Sequence, residues 1–365
     1  MIAEARAVAL TAIATLMMGG CSSEKAAQDA APAQDAAHAA PYVITALDNA
    51  RISSQSEDTY HRTAQVEIDF RDGPFVSAVL TLDLGTTCFP FEGWQDDPPP
   101  AGHNWPESCD AFDRLFEVSL LPVDGSDRPG IELVRAVTPF GGPMHITVDV
   151  TDIANAMPGK HLFEAFISTS YDKDGRVSGA KGGWNLSARV DVVPGDPPRN
   201  VLAVVPLYRH KHDHEMLQQT ATFEVPDGTT MGRVEYRVTG HGGGAVGPNC
   251  IGPAEEFCRR QHTVILDNTT LAEMTPWRTD CADFCTIARY EGGSNGFNYC
   301  SQNPTGAISS VRAPRAGWCP GAVSDPQVWE IASLTPGIHS FAYSIADIAE
   351  KGSWRVSATF FAYGE

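Results

Sequence analysis

Val66, Ile68 and Phe70 alternate with Glu67 and Asp69. That period of two belongs to a strand with one face in a core and the other in water. Comparable runs follow at 75–84, 116–121, 131–137, 145–150 and 162–168. A second series occupies 201–208, 221–225, 233–239, 262–266, 329–331, 341–345 and 353–361. Helical periodicity is weak throughout, and only 152–157 suits a short turn of helix. The chain's 33 Gly and 26 Pro break up these runs, as in Arg71-Asp72-Gly73-Pro74. Many short strands joined by such turns imply an all-β fold of sandwiches or jelly rolls. Val193-Pro194-Gly195-Asp196-Pro197-Pro198 divides the two series. Its prolines are stiff and cannot donate backbone hydrogen bonds, so it reads as an interdomain linker. The expected organisation is a first domain over 42–193, a linker over 194–200 and a second domain over 201–365.

The first 41 residues have a different character. Arg6 precedes an apolar stretch over 7–18, followed by Gly19-Gly20-Cys21. A short apolar core before small residues is the pattern of a secretory signal. A Cys placed directly after two glycines resembles a lipoprotein cleavage site, with Cys21 as the lipidated residue. Residues 22–41 hold nine alanines in twenty positions and little to bury, which suits a flexible tether. The expectation is an exported protein, held to a bacterial outer membrane or cell surface only by a lipid.

With Cys21 set aside, eight cysteines remain: Cys88, Cys109, Cys250, Cys258, Cys281, Cys285, Cys300 and Cys319. An even number in an exported chain implies disulfides. Nearest-neighbour pairing gives 88–109, 250–258, 281–285 and 300–319. Cys281 and Cys285 are four apart, but no other pair has the spacing of a zinc finger. The formal net charge of −19 argues against a nucleic-acid partner, which needs a basic footprint.

Three clusters could carry chemistry. In Cys109-Asp110-Ala111-Phe112-Asp113-Arg114, the guanidinium of Arg114 would hold Asp113 ionised. Gly240-His241-Gly242-Gly243-Gly244 leads to Cys250 and then Glu255-Glu256-Phe257-Cys258, where a disulfide would fix the loop bearing Glu256. Arg315-Ala316-Gly317-Trp318-Cys319-Pro320-Gly321 combines a guanidinium fork, an aromatic plate and a cysteine anchor. Each is unremarkable alone, as a surface charge pair, a glycine-rich loop or a packed Trp.

In this order and across this linker, these clusters resemble the peptide N-glycosidase F family, secreted bacterial amidases that remove N-glycans from asparagine. Asp149-Val150-Thr151-Asp152 and His262-Thr263 add to the likeness, which runs from about residue 44 to 365. The resemblance implies two side-by-side antiparallel jelly-roll domains with the site between them. It implies Asp113 as main catalytic acid, Glu256 as second acid, and Arg315 sharing the attacking water. Arg114 and Trp318 match contacts of the substrate cleft, and His241 stands near a position where the family has a Trp. No metal or other cofactor is implied. The partners would be N-glycosylated peptides or proteins, and the protein a monomer.

The sequence departs from the family in places. Ser168 stands where a third acid is expected, with Asp172 and Asp174 in a loop just beyond. The loop from Cys88 to Cys109 is much longer than the family's and carries Trp94 and Trp105, so a different glycan surround is expected. Two rival readings remain. One is a surface glycan-binding protein without catalysis. The other is a copper monooxygenase, a class sharing this fold, which would need ligands such as His210, His212 and His214.

Overall fold

The structure, a computed structural model, describes residues 39–243, 249–292 and 296–365. The leader 1–21 with Cys21, most of the 22–41 tether and Gly244 lie outside the described residues.

Residues 42 to 194 form two antiparallel sheets with one core between them. One sheet holds β1 (Tyr42–Ser53), β3 (Phe75–Gly85), β6 (Met144–Asp149) and β8 (Gly183–Pro194), in the order β1-β8-β3-β6. The other holds β2 (Thr63–Phe70), β4 (Leu115–Leu121), β5 (Ile131–Val137) and β7 (Gly159–Ile167). Alternation drives the burial: in β7, His161, Phe163, Ala165 and Ile167 are all buried while their neighbours are not. Phe70, Phe75, Phe116, Phe163 and Trp184 fill the core. The short helix α1 (Thr151–Ala156) follows β6, as its sequence suggested.

The chain leaves β8 at Pro194 and enters β9 (Val201–Asp213). A second pair of sheets follows. One contains β9, β11 (Met231–Gly242), β17 (Gln327–Ala332) and β19 (Gly352–Tyr363). Its partner contains β10 (Gln219–Val225), β12 (His262–Leu266), β13 (Thr269–Met274) and β18 (Gly337–Ile345). Tyr236, Phe341, Tyr343, Trp354 and Phe360 fill this core. A small hairpin, β14 (Ile287–Tyr290) with β15 (Phe297–Cys300), and the helical turn α2 (Ile308–Val311) stand outside it. The fold is thus the expected all-β pair of antiparallel jelly rolls.

The two sandwiches are joined through buried charge. Arg355 of β19 donates to both oxygens of Glu117 on β4, at 2.8 and 2.6 Å. Arg135 of β5 binds Glu132 and donates to the carbonyls of Arg237 and Arg355. Glu117, Glu132 and Arg135 are each about 1% exposed. A desolvated ion is tolerable only when paired and hydrogen-bonded, and here each one is. The two-residue strand β16 (Ala322–Val323) adds a mechanical link, pairing with β5 on the first sandwich.

Two of the four expected disulfides form, Cys88–Cys109 and Cys250–Cys258. The other two are exchanged: the bridges are Cys281–Cys319 and Cys285–Cys300, not 281–285 and 300–319. Cys281 to Phe284 is a 3-10 turn. At three residues per turn, positions four apart point in different directions. Cys281 therefore meets the loop after Trp318, while Cys285 reaches Cys300 at the end of the hairpin.

Candidate active site

Asp113 sits on the segment leading into β4. That segment is fixed at both ends. The Cys109 carbonyl accepts from the Gly179 amide at 2.7 Å, and Arg114 exchanges hydrogen bonds with Thr138, its amide donating to Oγ1 and its carbonyl accepting from N, both at 2.8 Å. Glu256 lies in the 3-10 turn Glu255–Phe257, closed by the Cys250–Cys258 bridge. Its carbonyl accepts from the Ala316 amide at 2.8 Å, which ties it to the Arg315 loop. Arg315 pairs its backbone in both directions with Arg278, at 2.8 and 3.1 Å. Gly317 turns the loop with a φ of 81°, in the region that favours glycine.

These three side chains converge. Arg315 Nη1 donates to Glu256 Oε1 at 3.2 Å, and Nη2 lies 3.9 Å from Asp113 Oδ2. Nη2 also donates to the Ser310 carbonyl at 3.0 Å and its hydroxyl at 3.2 Å. The guanidinium is packed between the rings of Phe257 and Trp318, each centred 4.7 Å away. Arg315 Nε is shielded from solvent and has no acceptor among the described residues. Ser310 and Phe257 are positioning residues that the sequence reading did not pick out. A Ser in a short turn and a Phe beside a Cys carry no signal until the fold brings them to Arg315.

The electrostatics differ from the expectation drawn from Arg114. Arg114 is not the partner of Asp113; it forks onto Asp110, with Nε 2.9 Å from both carboxylate oxygens. Asp113 is consequently not held ionised. Burial first, and the neighbouring Glu256 second, push its carboxyl up to about 7, against the pull of Arg315 and Arg114. Burial also raises Glu256, and Arg315 opposes it. Two carboxyls with raised affinity for protons beside a fixed cation form a pair that can trade a proton near neutral pH.

The neighbouring Glu255 has a different role. It is fully buried and accepts from Nε and Nη2 of Arg260, at 2.7 and 2.9 Å, and from the Trp354 indole at 3.0 Å. Adjacent carboxylates thus part, one into the core and one towards Asp113.

Trp318 is 2% exposed and donates to the Gly240 carbonyl at 2.8 Å. It stacks on His241, with ring centroids 5.4 Å apart and planes at 22°. Its expected place as a sugar-facing plate is therefore corrected: the ring is enclosed by Arg315 and His241 and offers no free face. His241 bonds Thr239 Oγ1 through Nε2, and burial pushes the imidazole down to about 3, so it is neutral. Ser168 donates its amide to the Leu115 carbonyl at 3.0 Å and supplies no charge. Asp172 cannot take its place, because its carboxylate accepts from the amides of Asp174, Val177 and Ser178 in its own loop.

The His210, His212 and His214 run does not converge. His212 is buried against Tyr343, His210 is exposed beside Tyr208, and His214 lies past the end of β9. Among the described residues, no group of three or more His, Cys, Asp or Glu side chains is arranged to hold a metal ion.

Residues 208–361 match a protein family described as peptide-N-glycosidase F, C terminal. Among solved structures, PNGF-II superposes with a TM-score of 0.66 at 19% identity, over 89% of this chain and 66% of PNGF-II. PNGase F, a glycosylasparaginase from Flavobacterium meningosepticum, gives 0.63 at 19% identity, over 89% of this chain and 96% of its own. A structure of peptide-N(4)-(N-acetyl-β-D-glucosaminyl) asparagine amidase gives 0.62 at 19%, with the same coverage. The match thus spans just under two thirds of PNGF-II. No curated protein sequence matches the chain. At these identities the superpositions establish the fold.

Proposed function

We propose that the chain, whose residues 208–361 match the C-terminal part of the peptide-N-glycosidase F family and whose fold is that of PNGase F, is a member of that family and hydrolyses the amide joining an N-glycan to asparagine. The observation that carries this reading is the convergence of Asp113, Glu256 and Arg315 from two sandwiches on one point. Hydrolysis of an amide needs a placed water, a group that moves protons, and a donor for the carbonyl oxygen as charge develops there. Glu256 and Arg315 hold the water. Asp113, with a carboxyl that titrates near neutrality, transfers the proton. Water adds its oxygen to the side-chain carbonyl carbon, the C–N bond breaks, and the nitrogen leaves on the sugar as an amine. Asparagine becomes aspartate. No step calls for a cofactor.

Four disulfides suit an oxidising compartment, which supports export. Among the described residues no helix is long and apolar enough to cross a membrane. Attachment through a lipid on Cys21 belongs to the same proposal and rests on the sequence alone.

The test is incubation of the purified chain with a heat-denatured N-glycoprotein. Released glycan together with Asn-to-Asp conversion at the glycosylated site is the expected result. Glycan binding without release would instead favour the non-catalytic reading.

A further inference from the structure

A second concavity adjoins the Asp113 site. It has a volume of about 950 Å3 and is walled from both sandwiches. Trp94 and Trp105 come from the long loop between Cys88 and Cys109, Phe297 and Tyr299 from β15, and Ser309 and Arg312 from α2 and the residue after it. The aromatic wall is built, not incidental. Phe91 centres it, with ring centroids 5.3 Å from Phe297 and 5.1 Å from Tyr299, and Trp94 meets Trp105 edge-on at 5.9 Å. Trp94 is fixed by a 2.9 Å bond from its indole to the Cys88 carbonyl.

Three features say what would fill it. First, the groove and the Asp113 site share one helical turn: Ser309 lines the groove while Ser310 holds Arg315. Second, polar groups in the wall lack partners. The Trp105 indole N–H has no acceptor among the described residues, and the exposed Arg312 makes no ion pair among them. Third, Arg312 is the sole charged residue of the lining in a chain with 45 acids, so the groove is uncharged apart from one cation. Aromatic plates edged by the Arg312 guanidinium and by Asn104, Asn298 and Ser309 complement a ligand with apolar C–H faces and hydroxyls at its rim. An oligosaccharide has that chemistry, because each pyranose ring presents a face of C–H bonds and an edge of oxygens.

We propose that this groove binds the outer sugars of an N-linked oligosaccharide, beyond the residues held at Asp113. That the ligand is part of the substrate rests on the amidase reading; that it is a sugar does not.

The test is calorimetric and needs no turnover. The full chain is titrated with a free biantennary N-glycan and, separately, with di-N-acetylchitobiose. Phe297→Leu keeps an apolar side chain but removes the ring face, and Arg312→Ala removes the cation; both residues are exposed, and unfolding midpoints accompany each titration. Wild type is expected to bind the longer sugar about tenfold more tightly than chitobiose, and each variant to lose most of that advantage. Equal affinity for the two sugars in wild type would overturn the proposal. So would variants with wild-type midpoints that keep the full preference, or an unglycosylated Phe-rich peptide binding the groove when the sugar does not. A catalytically inactive protein showing the expected pattern would sink the amidase reading alone. An active amidase without the pattern would sink this inference alone.

Discussion

Arg315 Nη2 lies 3.9 Å from Asp113 Oδ2, across the junction of the two sandwiches. The carboxyl belongs to the segment before β4, and the guanidinium to a loop after α2 held by the Cys281–Cys319 bridge. The same cation bonds Glu256, so the site exists only when the sandwiches are docked. Several outcomes depend on that arrangement.

Asp113→Asn should lose about 10²–10⁴-fold in turnover, the usual worth of a proton-transfer group, without losing the fold. Stability gives an independent readout. With its carboxyl raised to about 7, folded Asp113 keeps its proton between about pH 4 and 7, where the unfolded chain has released it. The folded state binds more protons, so stability falls as pH rises through that window. The loss amounts to roughly 4 kcal/mol above neutrality. Asp113→Asn should flatten that slope and unfold at a higher temperature than wild type near pH 8. Melting curves across pH check this.

Arg315→Lys should not rescue Arg315→Ala. The guanidinium reaches Glu256 and both oxygens of Ser310 at once, and a single ammonium cannot reproduce that fork. Loss of the cation should also raise both carboxyls further, because Arg315 opposes their elevation. The acidic limb of the pH–rate profile, where the base is protonated, should therefore move to higher pH. A limb that stays in place in Arg315→Ala would detach Arg315 from the proton chemistry.

Glu117→Gln should destabilise the chain by about 3–5 kcal/mol, since it leaves Arg355 and Arg135 facing an uncharged group in a buried junction. Denaturant midpoints measure it. Activity should fall with it, because the junction places Asp113 against Arg315.

Peptide mapping of the non-reduced protein should recover Cys281 linked to Cys319 and Cys285 linked to Cys300. Fragments linking Cys300 to Cys319 would contradict the arrangement of the hairpin and the Arg315 loop.

The sequence was most legible where burial alternates cleanly. Strands such as β7 and β12, whose inward residues are apolar or aromatic, could be placed from period two alone. β1 resisted because bulges break its register near Leu47 and Asn49 takes a φ of 46°. β13, β14 and β15 resisted because they are short and largely exposed, with too few inward residues to show a period. β8 was missed, although its inward residues Trp184, Leu186, Ala188, Val190 and Val192 alternate without a break. At the site, Asp113, Glu256 and Arg315 could be singled out as residues. Their partners could not, since adjacency pairs Arg114 with Asp113 on paper while the fold turns it onto Asp110. The disulfides show the same limit, as proximity in sequence favours 281–285 and the direction of a 3-10 turn decides otherwise.

The most direct measurement uses an N-glycopeptide in heavy-oxygen water, with wild type and Asp113→Asn compared by mass spectrometry. Wild type is expected to release the whole glycan and leave aspartate carrying one heavy oxygen, and Asp113→Asn to do so at least about a hundredfold more slowly. A peptide that keeps asparagine bearing a sugar, or an Asp113→Asn variant that cleaves within about threefold of wild type while folded, would contradict amide hydrolysis at this site.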